Sequence, residues 1–180
     1  MGRELWDAYD RAGNKLGFDL VRGELPRPGV YHMVAEVYAF TRDGQILLTR
    51  RHPAKHWGGY WEVTGGSVLK GESPLAGAVR ELQEETGLVI PPEEFRPVYV
   101  DQKDRIDGYS AIYHSFLVFF DPEEQTIRLQ EEETVDWRLM PYEEFLSLLS
   151  GGNIVPSIRE RFILHRERLE EPLCTNRGES

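Results

Sequence analysis

The sequence predicts an α/β fold in which helices cover the faces of a mixed β-sheet, with an N-terminal β-hairpin added to it. Extended segments such as YHMVAEVYAFTR and YSAIYHSFLVFFD make up much of the first two thirds of the chain. One helical segment interrupts them near residues 74–86, and two further helical segments follow the last predicted strand. The order of strands, helix, strands and helices is typical of a sheet packed between helices.

The length and composition fit a single main domain. The chain has 180 residues, of which 40% are hydrophobic, and this is enough to bury one core. We expect a hairpin extension and linker over residues 1–29, a main domain with a C-terminal helix over residues 30–172, and a tail over residues 173–180.

Each predicted element has a local signal. ELWDAYD, RAGN and KLGFDLVRG predict the N-terminal hairpin, and the prolines and glycine of ELPRPG predict a linker after it. Asp43-Gly44 predicts a hairpin turn, because glycine tolerates the positive backbone angle that such turns need. GYWEVTGG predicts a short strand that runs into a glycine turn. The remaining elements are the predicted strands FRPVYVDQ and TVDWRLM and the predicted helices PYEEFLSLLSGG and PSIRERFILHRERLEE.

The charge and the cysteine content exclude several classes of protein. The formal net charge is -10, whereas nucleic-acid backbones and anionic membranes both favour a basic surface, so neither is expected as a partner. Cys174 is the single cysteine, which rules out an internal disulfide and indicates a reducing compartment. No apolar run approaches the roughly 20 residues that span a bilayer, and the N-terminus lacks a signal-peptide core. We expect a cytoplasmic protein.

The helix near residues 74–86 has clear ends and an unusual charge pattern. Ser73 suits the N-cap, Pro74 the first helical position and Gly87 the left-handed position after the C-terminus. At about 100° per residue, one arc of the helix is apolar and predicts packing on a sheet. The adjacent arc carries three acids. The apolar arc holds Leu75, Ala78, Val79, Leu82 and Thr86, and the acidic arc holds Glu81, Glu84 and Glu85.

Helix stability alone does not account for these acids. Like charges at this spacing destabilise a helix by about 0.2–0.5 kcal/mol per pair. The attraction between Arg80 and Glu84 stabilises it by at best a similar amount. A divalent cation explains the cluster better, because Mg²⁺ prefers hard oxygen ligands and commonly bridges carboxylates to substrate phosphates. The alternative is a solvated acidic face with no ligand, which the glutamates taken alone would favour.

A longer motif around the helix decides between these alternatives. The stretch from residue 66 to residue 88 matches every fixed position of the pattern G-x5-E-x7-R-E-U-x-E-E-x-G-U, where U is a bulky aliphatic residue. This pattern is the Nudix box, and the chain resembles the Nudix hydrolase family. The resemblance covers most of the chain and implies an α/β/α sandwich with a mixed sheet. The matching residues are Gly66, Glu72, Arg80, Glu81, Leu82, Glu84, Glu85, Gly87 and Leu88.

The resemblance implies roles for the residues of the box. Glu81, Glu84 and Glu85 would bind Mg²⁺, with Mn²⁺ as a substitute, and the backbone carbonyl of Gly66 would join them. Glu84 and Glu85 are expected to matter most for catalysis. Arg80 would belong to the catalytic set by holding the glutamates through charge-assisted hydrogen bonds, and Glu72 would brace the loop through Arg80. For Glu72, a surface acid that favours the helix dipole is the alternative.

The implied reaction is hydrolysis of a diphosphate linked to a group X, usually a nucleoside diphosphate-X, by attack of water on phosphorus. Metal ions would polarise the phosphate oxygens and acidify a bound water. The general base varies within the family, and the segment QEEETVDWRLM offers Glu131, Glu132 and Glu133. We favour Glu132 or Glu133, although a solvated acidic loop is an equal alternative.

Substrate contacts are predicted just before the box. In RRHPAKHW, the cations Arg50, Arg51 and Lys55 are candidates for binding phosphates, and Trp57 is a candidate for stacking on a flat group. The alternative is that two or more of the cations only make the loop soluble. His32 and His114 alternate with apolar neighbours and are expected to satisfy a hydrogen bond rather than to bind a metal.

A narrower resemblance leaves three questions open. ELWDAYDRAGNKLG and RRHPAKHWGGYWEVTGG look like a bacterial Nudix branch related to isopentenyl diphosphate isomerases. Those isomerases need a cysteine in the segment that reads WEVTGG here, so isomerisation is disfavoured, while a prenyl diphosphate substrate stays open. A non-catalytic nucleotide-binding or regulatory domain is the second alternative. A homodimer is also left open.

Overall fold

The structure, a computed structural model, describes residues 3–105 and 108–176, so the end of the predicted tail lies outside the described residues. These described residues form nine strands, three helices and a short 3₁₀ helix at Pro92–Glu94. The strands are β1 (Leu5–Tyr9), β2 (Lys15–Val21), β3 (Tyr31–Thr41), β4 (Gln45–Arg51), β5 (Trp61–Glu62), β6 (Thr64–Ser67), β7 (Arg96–Lys103), β8 (Ser110–Phe120) and β9 (Thr134–Pro141). The helices are α1 (Pro74–Thr86), α2 (Tyr142–Gly151) and α3 (Pro156–Asn176).

The sheet is mixed, as the sequence predicts. β3 is its centre and runs parallel to β8 along its whole length, from Tyr31 opposite Ser110 to Thr41 opposite Phe120. β6 and β4 pair with β3 in the antiparallel sense, β7 continues the sheet beyond β8, and β5 and β9 pair with β4. The chain must therefore return to the same end of the sheet before β8, and α1 lies on this connection.

The alternation of side chains along β3 produces a three-layer sandwich. Successive residues of a strand point to opposite faces. Val37 and its odd-numbered neighbours pack against α1, where Leu82 is fully buried. Tyr38 and Phe40 pack on the other face against Phe162 and further residues of α2 and α3. The α/β/α prediction is confirmed.

The N-terminal hairpin extends the sheet. β1 and β2 are antiparallel, and Tyr9 of β1 pairs with Tyr31 of β3. Trp6 and Leu20 are buried in a small apolar cluster with Val30. The hairpin is thus attached to the main domain by both backbone pairing and apolar packing.

The two glycines of GYWEVTGG do not form the predicted turn. Gly65 and Gly66 lie inside β6, which pairs with β3. A methyl group on Gly65 would lie 2.5 Å from the carbonyl oxygen of Ala35, so glycine is needed for close approach of two strands rather than for turning. The turn prediction was wrong because close packing selects glycine as strongly as a turn does.

The last helix runs to Asn176, past residue 171, where the predicted helix ends. It contains Pro172 and has a non-helical backbone at His165, where φ is -112°. No helix in residues 3–105 and 108–176 is long and apolar enough to cross a membrane.

A buried ion pair fastens this helix to the centre of the sheet. Arg161 of α3 and Glu36 of β3 are each 4% exposed, and the guanidinium contacts both carboxylate oxygens, with Nε 3.0 Å from Oε2. Oε2 also accepts a hydrogen bond from Ser115 at 3.2 Å. The guanidinium carbon lies 3.7 Å from the centre of the Tyr113 ring. The helix therefore depends on a polar contact as well as on apolar packing.

Candidate active site

A pocket of about 510 Å³ opens beside α1 at the end of β6. α1 and β6 supply Glu81, Glu84, Glu85, Arg80 and Gly66. The segment after β4, the segment before β9 and the N-terminal hairpin supply the other walls. The pocket is mostly charged, and it brings acids and cations from distant parts of the sequence together.

Both ends of α1 are formed as predicted. The Ser73 hydroxyl accepts a hydrogen bond from the Ala76 amide at 3.1 Å. Gly87 adopts the left-handed conformation with φ of 75°, and its amide donates to the carbonyl of Gln83 at 2.9 Å. These caps fix where the helix begins and ends, and thereby which of its residues face the pocket.

Arg80 connects the acids of the motif. Its guanidinium makes two hydrogen bonds to Glu72, each of 3.0 Å, and a third of 3.1 Å to the carbonyl of Ser67. Nη1 also donates to Glu81 at 2.7 Å and to Glu84 at 3.1 Å. Glu72 in turn accepts from the amide of Leu69 at 2.9 Å. This arrangement supports the scaffolding role proposed for Arg80 and Glu72 over that of a surface acid.

Glu85 is the most deeply buried acid of the pocket. It is 7% exposed, and its Oε2 accepts one hydrogen bond, 3.3 Å long, from the amide of Gly65. Burial, followed by the charges of Glu62 and Glu81, raises the pKa of Glu85 well above its ordinary value. Burial also raises the pKa of Glu81, although Arg80 opposes this shift. The pocket concentrates negative charge that the protein itself neutralises only in part.

The donor chemistry of these residues fits Mg²⁺. Within the described part of the chain, no three acidic, histidine or cysteine side chains are already positioned to hold a metal ion. Arg80 engages Glu81 and Glu84 instead. Glycine at position 66 leaves room for the Glu81 carboxylate to pack against the backbone, because a methyl group there would lie 2.4 Å from the carboxyl carbon of Glu81. Carboxylate and backbone carbonyl oxygens are hard donors of the kind that Mg²⁺ prefers.

Two of the four predicted substrate-binding residues lie in the pocket. Arg51 and Lys55 line it. Arg50 points to the opposite face of β4, donates to the carbonyl of Gly59 at 3.0 Å and lies over the Trp61 ring. Trp57 is 41% exposed, stacks edge-on against Tyr60 and is not among the pocket residues. Arg50 and Arg51 are adjacent in sequence and were predicted to act together. Neighbouring residues of a strand point to opposite faces, so only one of the two can face the pocket.

The structure also separates the candidate bases. Glu133 lines the pocket and forms an ion pair with Lys55. The amide of His52 donates to the carbonyl of Glu133 at 2.9 Å, which holds the two pocket walls together. Glu131 and Glu132 are exposed and are not pocket residues. Of these three glutamates, Glu133 is therefore the candidate general base that the geometry favours.

Comparison with known proteins adds an independent observation. A sequence model described as the NUDIX domain matches residues 30–160. The chain belongs to the Nudix family. An uncharacterized Nudix hydrolase of Listeria monocytogenes, lmo0368, is 33% identical over 156 residues, which are 85% of this chain and 89% of the relative. The predicted class of enzyme, a Nudix pyrophosphohydrolase, is confirmed.

Solved structures agree with this Nudix fold. DR0079 from Deinococcus radiodurans has a TM-score of 0.71 at 18% identity, and the match covers 90% of this chain and 99% of that one. A bifunctional NMN adenylyltransferase/ADP ribose pyrophosphatase from Francisella tularensis, complexed with AMP and a Mn ion, has a TM-score of 0.62 at 19% identity. That match covers 81% of this chain and 43% of that one.

Several residues in the pocket or next to it were missed from the sequence of this Nudix hydrolase. Glu62 of β5 is 7% exposed and forms an ion pair with Arg51, which holds that cation at the pocket. Burial raises the pKa of Glu62, although Arg51 opposes the shift. The hairpin contributes Glu4, Trp6 and Arg22. The position of Glu62 within the strand predicted from GYWEVTGG was the available signal for this acid, whereas no local signal marked the hairpin residues.

The two histidines of the strands differ. His32 stacks on Trp6 with ring centres 4.6 Å apart, and its Nδ1 lies 3.2 Å from the carbonyl oxygen of Ser110. This is the structural role that the sequence predicts. In the described part of the chain, Nε2 of His114 is buried without a hydrogen-bond partner, so this ring nitrogen does not make the predicted hydrogen bond.

Acidification is expected to destabilise the protein through His32. Burial lowers the pKa of His32 from 6.5 to about 4, although the Ser110 carbonyl and Glu4 oppose the shift. Between these two values the unfolded chain binds a proton that the folded chain does not, so the free energy of unfolding falls as the pH falls. Between pH 7 and pH 4.5 the loss from this residue is about 2–3 kcal/mol. Urea unfolding at pH 7 and pH 4.5 measures it as the loss in the wild type minus the loss in His32→Asn, and equal losses would contradict it.

Proposed function

We propose that this protein hydrolyses a diphosphate linkage in a small molecule of the nucleoside diphosphate-X type, with Mg²⁺ as its cofactor. The observation that carries the proposal is the convergence of the three helix acids with Arg51 and Lys55 in one pocket. Acids alone would attract a metal ion, and cations alone would attract any anion. The combination suits a phosphate group that contacts protein cations on one side and a metal ion on the other.

The metal ligands would be Glu81, Glu84 and Glu85, with the carbonyl oxygen of Gly66. Mg²⁺ bound there would neutralise charge on the phosphate oxygens and acidify the attacking water. Mn²⁺ is the expected substitute, and the Francisella tularensis structure contains that ion. The contacts of Arg80 with Glu81 and Glu84 restrain both carboxylates while their remaining lone pairs stay available.

The chain's own residues account for binding and proton transfer. Arg51 is held by Glu62 and by the carbonyl of His56, 2.9 Å from Nε, so its charge is oriented before the substrate arrives. Lys55 would exchange its contact with Glu133 for a phosphate oxygen. Glu133 would then accept the proton of the attacking water from its position on the pocket wall.

The lining of the pocket favours a polar group X over a prenyl chain. Charged residues dominate the walls, and Leu69 and the 4%-exposed Trp6 contribute little open apolar surface. A prenyl chain would lose its water shell only against apolar walls, which this pocket does not provide. A nucleotide or a sugar instead offers hydroxyl and anionic groups that polar walls can bind.

A screen of diphosphates with Mg²⁺ tests the proposal. The panel would contain nucleotide sugars, ADP-ribose, coenzyme A, nucleoside di- and triphosphates and prenyl diphosphates, with products identified by mass spectrometry. We expect cleavage between phosphates of a polar member of the panel and no turnover after chelation of metal. Folded protein that cleaves no member with Mg²⁺ or Mn²⁺ would contradict the proposal and favour a binding domain without turnover.

A further inference from the structure

Arg22 is a pocket residue that lies outside the matched Nudix residues 30–160. It follows the last residue of β2, and its amide donates to the carbonyl of Glu4 at 3.0 Å. The next amide, that of Gly23, donates to the hydroxyl of Tyr109 at 2.8 Å. Arg22 is thus held on both sides, against β1 and against the segment before β8, although its side chain is exposed.

A chain of hydrogen bonds orients the guanidinium. Glu4 accepts from Nη1 of Arg22 at 2.7 Å through one oxygen and from the indole of buried Trp6 at 2.8 Å through the other. Both carboxylate oxygens of Glu4 are therefore engaged by the protein. Among the described residues, Nε and Nη2 of Arg22 have no partner, and a guanidinium offers donors in the plane that suits a carboxylate or phosphate.

Arg22 is also part of a cluster of like charges. Arg22, Arg51 and Lys55 come from three separate segments and line the same pocket. The pKa of Lys55 is lowered by burial and further by the charges of Arg51 and Arg22, which places these cations within electrostatic reach of each other. Arg51 and Lys55 lie on the side of Glu62 and Glu133, next to the helix acids. Arg22 lies on the hairpin wall instead.

We propose that Arg22 is a specificity-determining residue that binds an anionic substituent on group X. This inference rests on the proposed function, in which Arg51 and Lys55 bind the diphosphate. Arg22 would then have no phosphate of the scissile linkage to bind. It would instead contact the part of group X that extends from that linkage toward the hairpin. The preferred substrates would carry a carboxylate or a further phosphate on X.

Equilibrium binding of two matched ligands tests the inference. UDP-glucuronic acid carries a carboxylate where UDP-glucose carries a hydroxymethyl group. Binding is measured by calorimetry with Ca²⁺ in place of Mg²⁺, which limits turnover of the ligands. We expect the wild type to bind the anionic ligand about ten- to hundredfold more tightly, as one charge-assisted hydrogen-bonded pair provides. Arg22→Gln should abolish this preference and leave the affinity for UDP-glucose within about twofold. Arg22→Lys should retain part of it.

Arg11→Gln is the matched control. Arg11 lies in the turn of the same hairpin, forms an exposed 2.7 Å ion pair with Asp104 and is not a pocket residue, so the preference should persist in this variant. Equal affinities of the wild type for both ligands, absence of binding of the anionic ligand, or an unchanged preference in Arg22→Gln would each overturn the inference. Diphosphate cleavage in the screen together with such a result would leave the proposed function intact. A preference without any cleavage would instead remove the proposed function and retain the Arg22 site.

Discussion

Replacement of Glu85 by glutamine is expected to lower kcat for Mg²⁺-dependent diphosphate cleavage by about 10²–10³-fold with little change in stability. Glu85 is the deepest acid of the pocket and has Glu81 and Glu62 as charged neighbours. Glutamine has nearly the same shape, and its amide oxygen still accepts the hydrogen bond from Gly65. The variant therefore removes the charge that a metal ion would require while it retains the packing.

Steady-state kinetics and urea unfolding of the same preparation separate these two effects. Glu124→Gln is the control, because Glu124 is an exposed acid in the turn after β8 and lies outside the pocket. It should turn over like the wild type. Full Mg²⁺-dependent turnover in Glu85→Gln would remove Glu85 from the catalytic site, and a lowered unfolding midpoint would indicate that the change had disturbed the fold instead.

Replacement of Arg161 by methionine is expected to lower the free energy of unfolding by about 3–5 kcal/mol. The change leaves the carboxylate of Glu36 buried at the centre of the sheet without its cation. Typical domains are stable by about 5–15 kcal/mol, so the loss is a large part of the total. The urea midpoint of the variant, measured at pH 7, should fall accordingly.

Two further variants define the cause of that loss. Glu160→Ala removes the neighbouring partner of Lys103, a pair on the surface, and should cost less than about 1 kcal/mol. Adding Glu36→Gln to Arg161→Met removes the buried charge and should recover part of the stability, about 1–3 kcal/mol. A wild-type midpoint in Arg161→Met alone would mean that the ion pair does not fasten α3 to the sheet.

The parts of the fold that depend on local signals were predictable from the sequence. Ser73 marks the start of α1 through a side-chain hydrogen bond, Gly87 marks its end through a left-handed backbone conformation that few other residues support, and both caps are present. Asp43-Gly44 marks the turn between β3 and β4 for the same reason, with φ of 87° at Gly44. The position of the acids on one side of α1 was also predictable, because the period of the helix fixes the side on which each side chain lies.

The parts that depend on long-range contacts were not predictable. Glu36 is one acid within a run of β3 apolar residues, and its partner Arg161 lies 125 positions away, so neither residue carries a local sign of the other. Glu4 and Arg22 reach the pocket only because β1 pairs with β3. The choice of Arg51 over Arg50 depends on the register of β4, which a single sequence does not determine.

The parallel pairing of β3 with β8 has a consequence for biosynthesis. Paired residues such as Glu36 and Ser115 are 79 positions apart, so β3 stays without its longest neighbour until the ribosome has released β8. Contacts at such separations close slowly. The N-terminal hairpin and α1 emerge earlier, and each must wait for a sheet on which to pack. During that interval the nascent chain exposes the unpaired backbone edge and the apolar side chains of β3, and this is the stage at which the protein is most open to aggregation.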